Sequence, residues 1–355
     1  MKRRTFLKGM GGIATSLTVP SIVSCEQALS KKQDDKVAGL PRRTLGRTGE
    51  KVSVVGFPGL ALSHYDQDRC NAGLLDAFER GVNYYDVAPA YGKDGDCEKK
   101  MGIGLEAVAI DRSRIFLACK TRMRDKEGAR FELERSLKRL KTDHFDLYQL
   151  HCLRTPEEVK KALGPGGAIE TLLEAKEEGK VKYLGFSAHT TKGALEAMKG
   201  FRFDTVMFPI NFVEFFKMGF GKPVLELANK QGAAVLAIKP LSKGPWPEGA
   251  NRTRKWWYRA TETQEEANLA MRFTLSQKPV AAGIPPSFLD LLDKAIEAGR
   301  SYHTITEAET LKLQEMAKNC ESLFRREEER VARGDLLHSP VYPDSPHECC
   351  PGAYV

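Results

Sequence analysis

Eight short apolar runs, each followed by a longer segment of helical periodicity, limit the folds open to this chain more than any other feature. The runs lie at 52–57, 83–88, 115–120, 145–151, 181–187, 204–210, 233–239 and 280–285. Strands that are apolar on both faces need helices to cover them. Eight such units predict an α/β fold of the (β/α)8 TIM-barrel class.

The helical segments and a missing glycine motif favour the barrel over a doubly wound sheet. The segment 128–140 predicts a helix with one apolar face, formed by Phe131, Leu133, Leu137 and Leu140. A doubly wound dinucleotide fold places G-x-G-x-x-G after its first strand, and no such motif follows 52–57. We therefore expect the barrel.

The first 25 residues differ in composition from the rest of the chain. They read "MKRRTFLKGMGGIATSLTVPSIVSC", in which Arg3 and Arg4 precede a weakly apolar stretch without acidic residues. This segment resembles a twin-arginine export signal. The predicted domains are a signal peptide at 1–25, a linker at 26–41, the barrel at 42–300, and a C-terminal helical extension with a cysteine-containing tail at 301–355.

The signal predicts export by the twin-arginine machinery to the periplasm, or to the cell envelope if a lipid anchors the protein. "SIVSC" is similar to a lipoprotein processing site, so lipid attachment at Cys25 and simple cleavage both stay open. That lipid is the one membrane contact we predict, because no later run reaches about 18 apolar residues. Of the net charge of +8, Lys2, Arg3, Arg4 and Lys8 belong to the signal, and the remainder is too small to indicate nucleic-acid binding.

Polar residues end three successive apolar runs. Asp86 ends the second run and Tyr91 follows it, Lys120 ends the third run, and His151 ends the fourth. The carboxyl ends of barrel strands meet at one rim, where enzymes of this fold hold their active sites. An ion pair between Asp86 and Lys120 would serve structure alone. A phenol and an imidazole at the same rim indicate a catalytic site.

The four residue types suit proton transfer to a substrate. An ammonium beside a phenol favours the phenolate and so makes the phenol a stronger acid. We expect Lys120 to act in this way on Tyr91, and Asp86 to hold the ammonium in place. The His151 imidazole would then hydrogen-bond a substrate carbonyl and orient it.

These residues, with "RTLGRTGEKVSVVGFPG" at 43–59, resemble the aldo-keto reductase family. The resemblance covers about residues 42–299 and implies a barrel preceded by an N-terminal β-hairpin. It implies that the reaction is hydride transfer between a nicotinamide cofactor and a small carbonyl or alcohol substrate. The catalytic set that it implies is Asp86, Tyr91, Lys120 and His151.

The resemblance also implies a cofactor site. Ser187 in "GFSAH" matches the family residue that holds the carboxamide, although Ala188 replaces the usual Asn. The stretch "LAIKPLSKG" is similar to the loop that covers the pyrophosphate, with Ile238 where many members have Tyr. The further residues implied in this stretch are Lys239, Leu241 and Ser242.

The end of the barrel departs from the family's pattern. Ser287 carries over, but Pro285 and Pro286 replace a Pro-Gly turn, and no basic residue follows until Lys294. A 2′-phosphate would therefore lack its expected cationic partner. NAD and NADP both stay open as the cofactor.

The cysteines indicate no intact iron–sulfur cluster. The pair Ile238–Lys239 is similar to a bacterial subgroup often joined to iron–sulfur segments, yet this chain has only Cys320, Cys349 and Cys350 near its end. Their number and spacing do not suit a four-thiolate cluster. We rank a disulfide from Cys320 above unpaired thiols, and these above a metal site that uses His347.

Two functions follow from this sequence. The first is a nicotinamide-dependent reductase or dehydrogenase, and the alternative is a barrel that binds a ligand or partner without turnover through an eroded cofactor site. The substrate stays open, because it depends on the loop 241–260. Its aromatic residues suit sugar-like stacking, a hydrophobic lid or a subunit contact, and they are Trp246, Trp256, Trp257 and Tyr258.

Overall fold

The computed structural model describes residues 36–334, which begin with a small antiparallel sheet. Its strands are β1 (Lys36–Val37), β2 (Leu40–Thr44) and β3 (Lys51–Ser53). The pair β2–β3 is the predicted N-terminal hairpin, and β1 lies inside the range predicted as a linker. Leu45 and Val52 of this hairpin belong to the buried cluster inside the barrel, so the hairpin plugs one barrel end.

Eight parallel strands follow and form the predicted barrel. They are β4 (Gly56–Pro58), β5 (Tyr84–Asp86), β6 (Phe116–Thr121), β7 (Phe145–Leu153), β8 (Val181–Ala188), β9 (Thr205–Pro209), β10 (Ala234–Ile238) and β11 (Val280–Ile284). Neighbours in sequence are neighbours in the sheet. A parallel bridge between Val55 and Gly283 brings the last strand back to the first. The prediction of a (β/α)8 barrel is confirmed.

The first predicted strand, 52–57, is two strands in the structure. The chain changes pairing partner at Val54, whose N–H donates to Pro41 O of the hairpin at 3.0 Å. The carbonyl of Val54 accepts from Gly283 N of the barrel at 2.9 Å. The hairpin and the barrel both bury apolar residues, so the apolar pattern of 52–57 continues through the change of partner. The sequence therefore did not reveal that one strand ends and another begins here.

Twelve helices surround the sheet or extend it within residues 36–334. They are α1 (Gln67–Glu79), α2 (Asp96–Ala107), α3 (Lys126–Leu140), α4 (Pro156–Leu163), α5 (Ala168–Glu177), α6 (Thr191–Gly200), α7 (Phe212–Met218), α8 (Lys222–Gln231), α9 (Gln264–Ser276), α10 (Leu289–Arg300), α11 (Glu307–Lys318) and α12 (Arg325–Arg333). Side-chain oxygens cap many of the first turns, as Asp125 caps α3 and Thr306 caps α11. Helices α11 and α12 lie in the predicted C-terminal extension.

The predicted apolar face of α3 was wrong at one position. Leu133, Leu137 and Leu140 are buried, but the Phe131 side chain is 64% exposed. Two residues along a helix turn the side chain by about 200°, so Phe131 points away from Leu133. Residues four apart share a face, and the Arg135 guanidinium lies 5.3 Å from the centre of the Phe131 ring.

Alternation along the strands decides which side chains enter the barrel. Successive residues of a strand point to opposite faces. Tyr84, Phe116, Ala118 and Leu147 fill the barrel interior, whereas intervening residues such as Tyr85 pack against the helices. Asp86, Lys120 and Gln149 follow the interior residues by two positions. The alternation therefore directs their side chains to the barrel mouth.

Several predictions concern residues that the structure does not describe. The signal peptide, the Cys25 site, and His347, Cys349 and Cys350 lie outside residues 36–334. Among the residues that are described, no helix has the length and apolar character to cross a membrane.

Candidate active site

The Lys120 ammonium lies among three acceptors at the barrel mouth. Its Nζ donates to Asp86 Oδ2 at 2.5 Å, to Val87 O at 3.2 Å and to the Tyr91 hydroxyl oxygen at 3.3 Å. An ammonium has three N–H donors, so these contacts account for all of them. Because the Tyr91 oxygen accepts from Lys120, its own proton points away from the ammonium.

Asp86 holds this ammonium from a fully enclosed position. Its side chain is 3% exposed and that of Lys120 is 0% exposed. The second carboxylate oxygen, Oδ1, accepts from Tyr84 Oη at 3.2 Å and from Gln149 Nε2 at 3.5 Å. Burial raises the pKa of the Asp86 carboxyl, and the Lys120 ammonium opposes that rise. The pair fixes a cation below the Tyr91 phenol, because each charge lacks solvent and needs the other.

Tyr91 and His151 meet at the wall of one pocket. Tyr91 follows a turn closed by its N–H to Ala88 O at 3.0 Å, and His151 lies near the end of β7. Their ring centres are 5.7 Å apart, with an angle of 81° between the planes. Both residues line the pocket. The structure thus brings the four predicted catalytic residues together at one rim.

Four of the six predicted cofactor residues line the same pocket. These four are Ser187, Ile238, Lys239 and Ser287. Leu241 and Ser242 are not among the lining residues, and both are fully buried. The Ser242 hydroxyl accepts from Gly244 N at 3.2 Å, which gives it a role in shaping the loop.

His189 lines the pocket and was missed in the sequence. Its Nε2 is 3.4 Å from Lys239 Nζ, and its Nδ1 is 3.6 Å from Cys152 Sγ. It directly follows Ala188, the position where the family pattern has Asn. The available signal was the same as for the catalytic residues, namely a polar side chain just beyond the end of an apolar strand.

Three aromatic residues of the loop 241–260 form another wall of the pocket. They are Trp256, Trp257 and Tyr258. Trp246, the fourth aromatic residue of this loop, donates from Nε1 to Trp256 O at 2.7 Å and is not among the lining residues. The Lys239 ammonium lies 5.2 Å from the centre of the Trp257 ring, within the range of a cation–π contact.

The pocket residues fit the nicotinamide end of a dinucleotide. Ser187 Oγ accepts from Cys152 N at 2.7 Å, which leaves the hydroxyl proton for a carboxamide oxygen. Ile238 offers apolar surface for a ring, and Lys239 offers a cation for a phosphate. Lys294, the next basic residue after Ser287, pairs with Asp290 at 3.6 Å and does not line the pocket.

The described cysteines and acidic residues form no metal site. Within residues 36–334, no three His, Cys, Asp or Glu side chains come close enough to hold a metal ion. Cys119 and Cys152, which neighbour Lys120 and His151 in the chain, are both buried. Burial raises the pKa of the Cys119 thiol well above its usual range. Cys320 is also buried, and its predicted disulfide partners lie outside the described residues.

Comparison with known proteins gives one family. The model of the aldo/keto reductase family matches residues 56–318. L-galactose dehydrogenase of Arabidopsis thaliana is 34% identical over 158 residues, which cover 41% of this chain and 47% of the plant protein. A 6-dehydroglucose reductase of Novosphingobium aromaticivorans is 31% identical over 176 residues, covering 45% of this chain and 55% of that protein. The chain thus spans about half the length of these relatives.

Two further proteins show the same likeness. The NAD/NADP-dependent indole-3-acetaldehyde reductase of Schizosaccharomyces pombe is 29% identical over 202 residues, covering 55% of this chain and 67% of the yeast protein. Among solved structures, a holo-form aldo-keto reductase from Bacillus halodurans superposes with a TM-score of 0.64 at 23% identity. That superposition covers 81% of this chain and 99% of the other, and it supports the fold.

Proposed function

Because this chain belongs to the aldo/keto reductase family, we propose that it is an oxidoreductase that transfers a hydride between NAD(P) and a small carbonyl or alcohol. One observation carries the proposal. The Lys120 ammonium, buried against Asp86, donates to the Tyr91 hydroxyl at the wall of a pocket that also holds His151. An ion pair that served structure alone would need neither the Tyr91 phenol nor the His151 imidazole beside it.

Tyr91 is the general acid for carbonyl reduction and the general base for alcohol oxidation. Lys120 donates to the phenol oxygen, which stabilises the phenolate that remains after proton transfer. Asp86 pairs with the ammonium and fixes it in a water-poor site, where its field on Tyr91 is strong. The proton moves between Tyr91 Oη and the substrate oxygen.

His151 orients the substrate, and the opposite wall holds the cofactor. An imidazole N–H that donates to the substrate oxygen would place this oxygen next to Tyr91. Ser187, Ile238, Lys239 and Ser287 would hold the cofactor, which when bound supplies or accepts the hydride. His189 extends this wall beside Lys239. NAD and NADP both remain candidates as the cofactor. Lys294, the next basic residue after Ser287, pairs with Asp290 and does not line the pocket, so it gives no support for a 2′-phosphate site there.

Titration with NADH and NADPH, followed by nicotinamide fluorescence, tests this proposal. We expect at least one nucleotide to bind below millimolar concentration. Ser187→Ala should weaken binding about threefold to tenfold, the cost of one hydrogen bond. Ser301→Ala removes a hydroxyl from an exposed residue outside the pocket and should leave affinity unchanged. If neither nucleotide binds at millimolar concentration, the oxidoreductase proposal fails and the ligand-binding barrel replaces it.

A panel of carbonyls should then identify the substrate class. The names of the relatives direct the panel to sugar-derived carbonyls and to aryl acetaldehydes. Trp256 and Trp257 support stacking of either a sugar ring or an aryl ring at the pocket wall.

We further propose that the protein is exported by the twin-arginine route, on the strength of Arg3 and Arg4 in the first 25 residues. Replacing both by lysine should hold the protein in the cytoplasm, because the twin arginines are the recognised address. Lys2→Arg is the matched control and should be exported normally. Fractionation distinguishes these outcomes, and export of the double variant at the normal level would contradict the proposal. Mass spectrometry of the mature N-terminus separates lipid on Cys25 from simple cleavage.

A further inference from the structure

A second cavity lies beside the loop that follows Tyr91. Its volume is about 160 Å³, enough for a small anion with several waters. The lining residues come from this loop, from the position after β6 and from α3, and they are Pro89, Gly92, Asp94, Gly95, Arg122, Arg135 and Arg139. None of them lines the pocket around Tyr91 and His151. The cavity is therefore a separate feature.

Two of its arginines are positioned by buried carboxylates. Arg139 Nη1 donates to Glu98 Oε2 at 3.0 Å, and Arg135 Nη2 donates to Glu132 Oε1 at 3.2 Å. Both glutamates are fully buried. Each contact uses one nitrogen of a guanidinium that carries five N–H donors. The ion pairs thus hold in place the guanidinium groups of two residues that line the cavity.

Arg135 has a buried donor without an acceptor. Its Nε is enclosed and finds no hydrogen-bond partner among residues 36–334. A buried donor that makes no hydrogen bond costs free energy. The Phe131 ring lies under the same guanidinium at 5.3 Å and restricts its movement. The ring contact and the pair with Glu132 thus fix the guanidinium of a residue that lines the cavity.

Another part of the cavity lining is the N-terminus of α2. Gly95 is the N-cap of this helix, in the left-handed region at φ 68°, and no side chain caps the first turn. A Cβ atom at Gly95 would lie 2.2 Å from Arg139 Nη1, so the guanidinium packs directly against the helix start. The same position lies 3.0 Å from Glu98 Oε2, so the Glu98 carboxylate and the Arg139 guanidinium both sit at the positive end of the helix dipole.

We propose that this cavity binds a tetrahedral oxyanion, either inorganic phosphate or the phosphate group of a small phosphomonoester. Arg122, Arg135 and Arg139 supply planar donor groups that match phosphate oxygens. Asp94 is the one carboxylate among the lining residues, it is exposed, and it opposes the anion. A bound phosphate would join α3 to the loop that carries Tyr91. This site is independent of the proposed function.

Thermal unfolding and calorimetry of the purified protein test the site with inorganic phosphate, against chloride at equal ionic strength and without nucleotides. We expect saturable binding and a rise in Tm with phosphate only. Arg135→Gln should weaken binding at least tenfold, the loss expected for one charge-assisted hydrogen bond. Lys138→Gln makes the same charge change at an exposed position of α3 outside the cavity. It should bind as the original protein does.

Asp94→Asn gives a second test with the opposite sign. Removing the opposing carboxylate should tighten phosphate binding severalfold, and this variant keeps every arginine in place. Phenyl phosphate distinguishes a site for inorganic phosphate from a site for phosphomonoesters. A site that accepts phosphomonoesters should bind phenyl phosphate, and Arg135→Gln should weaken that binding as it weakens the binding of phosphate. Equal effects of phosphate and chloride would overturn the proposal. It would also fail if Arg135→Gln and Lys138→Gln bind phosphate equally.

Discussion

Replacing Tyr91 by phenylalanine is expected to lower kcat by two orders of magnitude or more, with nucleotide binding retained. The change removes one oxygen, and with it the group that exchanges a proton with the substrate. A positioned general acid contributes about 100-fold to 10,000-fold to the rate. A 100-fold loss corresponds to about 2.7 kcal/mol of transition-state stabilisation. Steady-state kinetics on the best substrate of the panel would measure it.

Tyr302→Phe is the matched control for this experiment. The Tyr302 hydroxyl donates to Leu275 O at 3.3 Å and does not line the pocket. This variant loses the same atom elsewhere in the barrel and should keep the original kcat. If Tyr91→Phe retains more than about a tenth of the turnover, Tyr91 is not the proton donor.

Replacing Lys120 by methionine is expected to abolish turnover and to reduce the free energy of unfolding by about 3–5 kcal/mol at neutral pH. The Asp86 carboxylate would remain buried without its cation, and breaking one side of a buried ion pair costs about this much. Urea denaturation measures the loss. The double variant Asp86→Asn/Lys120→Met removes the stranded charge and should recover part of the stability without recovering activity.

The destabilisation of Lys120→Met should depend on pH. An unfolded aspartate titrates near pH 3.9. In the variant, burial raises the pKa of the folded Asp86 carboxyl and no ammonium opposes the rise, so the folded state holds the proton to higher pH. Stability therefore falls as the pH rises from about 4, and the deficit is largest at neutral pH. An equal deficit at pH 4 and pH 7 would show that the loss comes from packing instead of the stranded charge.

The sequence predicted which candidate catalytic residues would meet at one rim, but it did not predict which residues of the loop beyond β10 would line the pocket. Asp86, Lys120 and His151 lie at or within two residues of the ends of their strands, and parallel strands of one barrel end at the same rim. Their proximity therefore followed from the order of the strands. Leu241 and Ser242 lie in a loop beyond β10, where no periodicity states which way a side chain points. The structure buries both away from the pocket.

Residues whose role depends on several elements escaped the sequence. His189 carried a sequence signal as a polar residue just beyond a strand, but only the structure shows its Nε2 3.4 Å from Lys239 Nζ. The phosphate cavity joins a loop, a strand end and two turns of α3, and its arginines are ordinary surface residues in the sequence. Phe131 is a different case, because the 3.6-residue period already separates it from Leu133, and the prediction followed its apolar character instead.

The sequence by itself determined the eight strand–helix units and the polar residues that end three of the strands, because the 2-residue and 3.6-residue periods are properties of the local backbone. Only the tertiary structure decided which three acceptors surround Lys120 and where the segment 52–57 changes its pairing partner. It also decided that three arginines line one cavity. These features depend on strand register, sheet closure and helix packing. They are set by contacts between residues far apart in the chain, which local periodicity does not encode.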